Sequence, residues 1–475
     1  MLRPFNRIRF WVWMAVFLLA SCSQITLKQA QLNEALYTGN VQQAYDIMNN
    51  HVDRWKKNRN ALLYYWNKGT FAWMLGKYDE SSKLFMASDY FLEDMYKNYA
   101  NMAASLFIND KIRQYTGEDH ERILFQYYQI LNFMRLGNLE NALVQARRLQ
   151  LELNRLDDRY KDQKGNKNTR YQEDAFAYIL IGLVYEAAHD ESNALVAYRN
   201  AYRIYSESYK SNFNTEIPRQ LLKDLMRLAY RNGYDEYLNQ IEKETGVSFN
   251  KSWLRDEGNT VVFWNNGLSP VKQEVAVNFT IVRNGNTGWV TFYNSNYGLS
   301  IPVYVGNENT QQGSAFNQLQ FIRATFPKYF NRGSRYFQGS LMADSLAHPL
   351  ELVENVTAIA QKEMHDRFLK EIGKTLLRLA LKKVSEAQMR KENPEAGAVV
   401  GLVNFVTEQA DTRSWESLPD QISYTRLSLP PGEHEVSLRT YSSQDTLSNS
   451  MRIKVPQRGM VFQGFHTLQP QLAIN

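Results

Sequence analysis

The segment from Asp411 to Trp415 holds the most enzyme-like combination of side chains in this sequence. A carboxylate at Asp411, a guanidinium at Arg413 and an indole at Trp415 could together orient a polar ligand. An Asp and an Arg two residues apart also form ion pairs that fix a corner between a helix and a strand. We favour this structural role and keep the three residues as candidate ligand-orienting groups.

Other sequence motifs for catalysis or ligand binding are incomplete in this chain. Gly373-Lys374-Thr375 matches the end of a phosphate-binding loop, but Phe368 stands where that loop needs a glycine. His365 has no second histidine four residues away, and no serine has a G-x-S-x-G surround. One cysteine in 475 residues excludes zinc sites built on paired cysteines. We therefore predict no catalytic residue, no metal and no cofactor.

A run of cations and aromatic rings lies between Glu308 and Asp344, with no acidic residue in between. Its basic residues are Arg323, Lys328, Arg332 and Arg335. If they form one patch, it would suit an anionic, partly apolar surface such as lipid head groups, lipopolysaccharide phosphates or an acidic partner protein. In the alternative, which we favour, the rings alternate into a β core and the cations are merely solvated.

The first 21 residues have the order of a bacterial signal peptide, with three arginines before the apolar run Phe10–Ala20. Eleven helical residues rise only about 16 Å, which is too short to cross a bilayer core. Leu19-Ala20-Ser21-Cys22 then resembles the lipobox of bacterial lipoproteins. The resemblance implies that Cys22 becomes the lipidated first residue and anchors the chain in a membrane. Ser23, where an aspartate would favour the inner membrane, indicates the outer membrane.

Composition places the chain among folded proteins of more than one domain. The residues are 44% hydrophobic and 22% charged, close to globular averages. The formal charge of +6 falls to +3 once the three arginines of the signal peptide are removed. This charge is too small to predict a nucleic-acid partner.

Residues 22–250 are predicted to form a tetratricopeptide-like helical repeat domain. The clearest copy places small and aromatic residues at the spacing of that repeat, at Tyr178, Gly182, Tyr185, Ala194, Tyr198 and Ala201. Turns are expected at Gly39, Gly76, Gly137 and Gly233, with His189 in the equivalent place between the last two. Their separation exceeds the repeat length of about 34 residues, so the solenoid is irregular. Such an array commonly binds a protein on its concave face, although it could also act as a spacer.

Residues 251–475 are predicted to form an α+β domain, because runs of β-branched and aromatic residues begin near Thr260. Helices are expected near 350–391 and 396–408, the second short and apolar, with strands on both sides of them. The predicted fold class is therefore an irregular tetratricopeptide-like α-solenoid followed by a β-rich domain with two inserted helices.

Four features occur in one order along the chain: the lipobox, Val262–Lys272, Phe326–Tyr329, and Ala410–Trp415 followed by Leu418-Pro419. This layout resembles an uncharacterised family of bacterial envelope lipoproteins that join tetratricopeptide-like helices to a C-terminal α+β domain. The resemblance covers nearly the full length. It implies the architecture and brings no activity with it.

These patterns predict a non-enzymatic, lipid-anchored scaffold of the bacterial cell envelope that faces the periplasm and binds a protein through its helices. The alternative is an envelope hydrolase or glycan-remodelling enzyme that uses the helices as a substrate platform. Two carboxylates about 5 to 9.5 Å apart in a cleft of the β-rich part would favour the enzyme. An open groove lined by tyrosines in the helical part would favour the scaffold.

Replacing Cys22 with Ala removes the thiol that would carry the lipid. We expect the variant to take up no labelled palmitate and to be found uncleaved at the inner membrane or in the soluble fraction, because no acyl chain holds it. Palmitate labelling and membrane fractionation measure this, with Ser23→Ala as the control that keeps the thiol. A Cys22→Ala chain that still labels and fractionates with the outer membrane contradicts the lipobox assignment.

Overall fold

The structure is a computed structural model that describes residues 29–50, 52–56, 58–103, 113–161, 173–254, 258–283, 285, 287–305, 320–392 and 409–468. Cys22 and the predicted helix at 396–408 lie outside these residues. The described chain is helical up to Leu254 and mainly β from Thr260 onward. A mixed α+β fold is therefore confirmed.

Helices make up the first part of the described chain. They are α1 (29–37), α2 (Val41–Asn49), α3 (Val52–Trp55), α4 (Ala61–Met74), α5 (Tyr78–Ala103), α6 (Asp119–Arg135), α7 (Leu139–Lys161), α8 (Ala175–Ala187), α9 (Glu191–Ile204), α10 (Lys210–Phe213), α11 (Arg219–Arg231) and α12 (Asp235–Thr245). Consecutive helices pair as α4 with α5, α6 with α7, and α8 with α9, and each pair packs on the next. In the part of the chain that the structure describes, no helix combines the length and apolar character needed to cross a membrane.

The five predicted turn positions share one backbone conformation. Gly39, Gly76, Gly137, His189 and Gly233 have φ between 60° and 75°. In each turn, this residue donates its N–H to the carbonyl three residues earlier, and the next residue donates to the carbonyl five residues back. This is the Schellman ending of a helix, which needs the left-handed conformation that glycine adopts at the lowest energy. The turn predictions are therefore confirmed.

Within the helix pairs, small residues let large rings approach the backbone. Tyr198 of α9 lies so close to Gly182 of α8 that a Cβ at position 182 would overlap its ring. Phe85 of α5 sits in the same way against Gly69 of α4, with 3.0 Å between its ring and the position that a Cβ would take. These contacts join the two helices of each pair at close range.

Strands of the second part form three four-stranded sheets among the described residues. The strands are β1 (Thr260–Asn266), β2 (Val271–Arg283), β3 (Trp289–Asn294), β4 (Leu299–Tyr304), β5 (Phe321–Phe330), β6 (Gln338–Ala343), β7 (Leu346–Pro349), β8 (Glu351–Asn355), β9 (Gln421–Leu427), β10 (Gly432–Tyr441), β11 (Thr446–Val455) and β12 (Val461–Thr467). The central sheet has the order β12-β1-β9-β8, the outer sheet β4-β3-β2-β5, and the third sheet β11-β10-β6-β7. Among the described strands, neighbours pair antiparallel except β1 with β12, which are parallel.

Helix α13 (Val356–Glu392) is the predicted long helix, but it begins six residues later than expected. The residues predicted as its first turn form β8, because they pair with β9 from Glu351 opposite Tyr424 to Asn355 opposite Gln421. Asn355 then caps the helix, since its side-chain oxygen accepts the Ala358 N–H at 3.0 Å. The prediction of helix from residue 350 was therefore wrong for residues 351–355.

The helices and the central sheet share one hydrophobic core. Phe263 of β1 contacts Tyr127 of α6 and Phe176 of α8, with ring centroids 5.6 and 6.2 Å away. Trp73 of α4 lies directly against Gly464 of β12, where a Cβ would overlap the indole. The sides of α4, α6 and α8 that face the sheet are therefore covered by the chain's own β residues.

Buried charges reinforce this junction. Arg426 of β9 donates to both carboxylate oxygens of Glu186 in α8, at 2.8 and 2.7 Å, and pairs with Asp224 of α11 at 3.0 Å. Arg227 of α11 also binds Glu186, at 2.5 Å. Burial alone would raise the pKa of Glu186, but the two guanidinium groups lower it to about 2. The carboxylate is therefore ionised throughout the pH range in which the protein would work.

Replacing Gly182 with Ala tests the close helix contact. Alanine favours a helix, but its Cβ must displace the Tyr198 ring, so we expect the free energy of unfolding to fall by about 1 to 3 kcal/mol. The matched control is Gly373→Ala in α13, where the nearest atom, of Ile301, is 3.9 Å from the new Cβ. That variant should be neutral or more stable by up to about 1 kcal/mol. Urea denaturation followed by circular dichroism measures both, and equal effects would contradict the packing.

Candidate functional site

A cleft of about 360 Å³ opens where the helical part meets the outer sheet. One wall is the loop before α6, from Arg113 to Glu118, and another is Thr325–Pro327 of β5. Helix α13 lines it between Met364 and Leu379, and residues 409–413 close one end. Its volume and charged walls make it the candidate site, since small ligands bind in concavities of this size.

The start of α6 supplies the charge beneath the cleft. Glu118 to Arg122 read Glu-Asp-His-Glu-Arg, and all but Glu118 are buried. Sequence reasoning missed this run, although Glu118 and Glu121 have the three-residue spacing of a helix cap. Glu121 accepts the Glu118 N–H at 2.9 Å, as that spacing predicts.

Glu363 of α13 binds the first turn of α6. Its carboxylate accepts the backbone N–H of Asp119 at 2.9 Å and lies 2.6 Å from Nδ1 of His120. Arg367 donates to the same carboxylate at 2.8 Å. The free N–H groups and positive dipole end of a helix stabilise such an anion. Burial alone would lower the pKa of His120, but Glu363 overrides it and raises that pKa.

Glu118 joins two other elements in the wall of the cleft. Lys272 of β2 and Arg367 of α13 each form an ion pair with one of its carboxylate oxygens. Burial disfavours the charged carboxylate, but these two cations hold the pKa of Glu118 well below its usual value of 4.5. The loop before α6 is thus attached to the outer sheet and to α13.

Glu121 attaches the segment that precedes β9. Its carboxylate accepts the Tyr115 hydroxyl at 2.5 Å and the backbone N–H of Trp415 at 2.7 Å. Burial, followed by the neighbouring carboxylates, raises the pKa of Tyr115 far above its usual value, so the hydroxyl keeps its proton and donates. This contact places residues 409–415 along the cleft.

Two of the three predicted ligand-orienting residues, Asp411 and Arg413, line this cleft. Arg413 donates to both oxygens of Asp411, at 2.8 and 2.7 Å. Its remaining nitrogen donates to the backbone carbonyls of Arg59 and Arg113, both at 3.0 Å. The pair therefore ties residues 409–413 to the helical part, which is the structural role that the spacing suggested.

Trp415, the third predicted residue, does not lie in the cleft. Its indole is fully buried and stacks on Trp66 of α4 with ring centroids 4.7 Å apart. The indole N–H is shared between the hydroxyls of Thr70 and Ser417, at 3.2 and 2.9 Å. Grouping Trp415 with Asp411 and Arg413 as a ligand site is therefore corrected: this indole is part of the core.

The four predicted patch residues do not come together. Arg323 and Lys328 are both exposed on β5, but they are five positions apart, and this odd spacing places their side chains on opposite faces of the strand. Arg332 is buried and donates to the backbone carbonyls of Ser269, at 2.6 Å, and Glu416. Arg335 pairs with Asp445 at 2.6 Å. The prediction of one basic patch made by these four residues is therefore corrected.

The described residues contain no group of three or more His, Cys, Asp or Glu side chains placed to hold a metal ion. His365 and Gly373-Lys374-Thr375 all lie within α13, so the tripeptide does not form a loop around a phosphate.

Comparison of the chain with protein-family models, with curated proteins and with solved structures found no match. The resemblance to envelope lipoproteins therefore stays a prediction from the sequence.

Replacing Glu118 with Gln tests whether the ion pairs hold the walls of the cleft together. The buried cation Lys272 would lose its anion and Arg367 would keep only Glu363, so we expect the free energy of unfolding to fall by about 3 kcal/mol at pH 7. Because the folded state lowers this pKa, the stabilisation is complete above the usual pKa of 4.5 and is lost as pH falls through the folded pKa. The difference between wild type and variant should therefore shrink below pH 4.5.

Glu371→Gln is the matched control, because Glu371 pairs with Lys374 at 3.4 Å near the same cleft but is half exposed. Its effect should stay within about 0.5 kcal/mol. Urea titrations from about pH 3, below the usual pKa values of carboxylates, to about pH 8, well above them, measure both variants. A Glu118→Gln effect as small as the control's contradicts the assignment.

Proposed function

We propose that this protein is a lipid-anchored interaction scaffold of the bacterial cell envelope, held at the outer membrane through Cys22 and facing the periplasm. The short leader and the lipobox support the anchor. The finer fold assignment, an irregular tetratricopeptide-like solenoid, belongs to the same proposal. The five equivalent turns and the Gly182–Tyr198 contact support it.

The ion pairs and hydrogen bonds made by the carboxylates around the cleft favour a scaffold over an enzyme. A catalytic acid or base must exchange a proton with its substrate, so its reactive oxygen or nitrogen has to be reachable. Here Glu118, Glu121 and Glu363 each bind cations or N–H groups of other elements. Asp411 is held by both arms of the Arg413 guanidinium. These four carboxylates join segments of the fold, and this observation carries the proposal. Glu371, also in the cleft wall, is half exposed and pairs with Lys374 within α13.

The partner surface that this arrangement favours is on the outer helices. The sides of α4, α6 and α8 that face the central sheet are covered, as described above. Helices α5 and α7 are linked on the outside by an ion pair between Asp89 and Arg148 at 2.7 Å. Four exposed apolar side chains lie within four residues of this pair along α5 and α7, and we name them the outer-helix patch: Met86, Tyr90, Val144 and Leu151.

The outer-helix patch has the composition of a protein-binding surface. A methionine, a tyrosine and two aliphatic side chains surround one polar pair, and Met and Tyr are enriched where proteins bind each other. Burying them against a partner would stabilise the complex by about 25 cal/mol for each Å² of apolar surface removed from water. A protein with an apolar ridge between polar residues is therefore the expected partner.

Site-specific photo-crosslinking in cells tests the scaffold. With benzoylphenylalanine at Tyr90, we expect one discrete crosslinked product of the lipidated protein, because the patch would be in contact with its partner. Tyr234 is the control, since it is also exposed but lies at the start of α12, away from the patch. Adding Leu151→Glu should remove the product at Tyr90 by placing a charge in the patch.

Two results would contradict the proposal. One is equal crosslinking at Tyr90 and Tyr234, or none at either. The other is hydrolysis of purified cell-wall glycan by the purified protein that Asp411→Asn abolishes while the fold remains intact. That second result would support the enzyme alternative.

A further inference from the structure

The outer sheet has one face that the described residues leave open at the end away from the cleft. Its inner face packs on α13, where Phe279, Phe292 and Ile322 of three strands share a core with Ile372 and Leu376. Because side chains alternate along a strand, the residues between these point away from α13. At the start of β2 this second face borders the cleft, whereas its other end is exposed.

Large apolar side chains cover this second face. Five of them are between 45% and 69% exposed, and we name them the aromatic face: Val282, Trp289, Tyr293, Tyr304 and Phe321. The register places them together, with Trp289 directly opposite Tyr304 and with Tyr293 and Phe321 both opposite Thr280. The rings of Trp289 and Tyr304 are 5.5 Å apart.

The aromatic face extends both across and along the strands of the sheet. Its members come from all four strands of the sheet, which at about 4.8 Å between neighbours extend over roughly 14 Å. Along β3, Trp289 and Tyr293 are four residues apart, or about 13 Å. A linear ligand would contact residues in a single row, whereas these five are spread both across the four strands and along them. The shape therefore fits a planar partner.

The charged side chains around the aromatic face are basic. Glu274, the one acidic residue in the four strands, lies at the cleft end of β2, where its carboxylate accepts the Ala410 N–H at 2.6 Å. No acidic residue occurs in 275–304 or in 320–330, which together contain nearly all of its four strands. Arg323 lies on the same side as the aromatic face, opposite Asn278. Between the rings are short hydroxyl side chains, namely Thr280, Thr291 and Ser300. The partner's surface is therefore expected to be anionic or neutral, with an apolar layer that rings can enter.

A phospholipid bilayer with anionic head groups has these properties. Tryptophan and tyrosine rings settle at the level of the head groups, where their apolar bodies are buried and their polar atoms stay wet. An arginine beside them gains from the negative surface potential. Apolar patches of this size are seldom left uncovered on a soluble surface.

We propose that the aromatic face docks on the surface of an anionic bilayer, as a membrane contact separate from the lipid at Cys22. The contact goes beyond the proposed scaffold function and does not need the acyl chains. It would hold the exposed end of the outer sheet against the membrane.

The test uses the chain from Gln24 to Asn475, which contains every described residue and lacks Cys22, so that a failure of the lipid anchor cannot affect it. Flotation with vesicles of phosphatidylglycerol and phosphatidylcholine measures binding. We expect the wild-type chain to float with the mixed vesicles, less with pure phosphatidylcholine, and less as salt rises. Replacing Trp289 and Phe321 with Ser should lower the partition coefficient by about tenfold or more.

Matched controls separate the aromatic face from exposure and charge in general. Phe337 has the same 69% exposure as Phe321 but lies next to the third sheet, so Phe337→Ser should leave binding unchanged. Arg323→Glu should weaken binding, whereas Lys328→Glu, on the opposite face of β5, should have little effect. Circular dichroism confirms that each variant folds, as expected for substitutions of exposed side chains.

Three results would overturn the proposal. One is a wild-type chain that does not float, or that floats equally with pure phosphatidylcholine. Another is sedimentation with insoluble cell-wall glycan that Trp289→Ser abolishes, without any binding to vesicles. The third is a concentration-dependent dimer that dissociates in the Trp289 and Phe321 variant, which would assign the aromatic face to a second copy of this chain.

Discussion

The ionic contacts at the start of α6 are the interaction on which the rest of the arrangement depends. Moving a charge out of water is unfavourable by several kcal/mol, so a run such as Glu118 to Arg122 is stable inside a protein only if each charge meets a partner. Those partners come from β2, α13 and the segment before β9. Satisfying the charges therefore fixes the positions of three separate parts of the chain against one helix end.

This requirement explains why helix α6 is buried on every side, including its polar residues. Asn132 of α6 donates to the Ser81 hydroxyl at 2.9 Å, and Ser81 donates to the Gly69 carbonyl at 2.8 Å. A polar side chain of α6 thus hydrogen-bonds to the α4–α5 pair, while the Tyr127 ring contacts Phe263 of the central sheet. A helix in this position is an axis around which both parts of the chain pack.

Features set by local sequence were the ones that the sequence could predict. The turn glycines and His189 were found because a left-handed helix ending depends on one residue and its neighbours. Residues 351–355 have an apolar spacing that also suits a helix, and only pairing with β9, about 70 residues later, makes them a strand. Glu118 was overlooked because its partner Lys272 lies 154 residues away. Arg332 was likewise predicted to belong to the basic patch because of its charge, although its hydrogen bonds to two backbone carbonyls fix its position.

The parallel pairing of β1 with β12 has a consequence for how the protein is assembled. Residues that meet there, such as Asn265 and Phe465, are 200 positions apart. A chain is synthesised from its amino-terminal end, so α4, α6 and α8 are made long before the strands that cover them. During that interval their aromatic sides are exposed to solvent and to other chains. Closing the central sheet is therefore a slow, late step with a high loop-closure entropy, and aggregation through these helices competes with it.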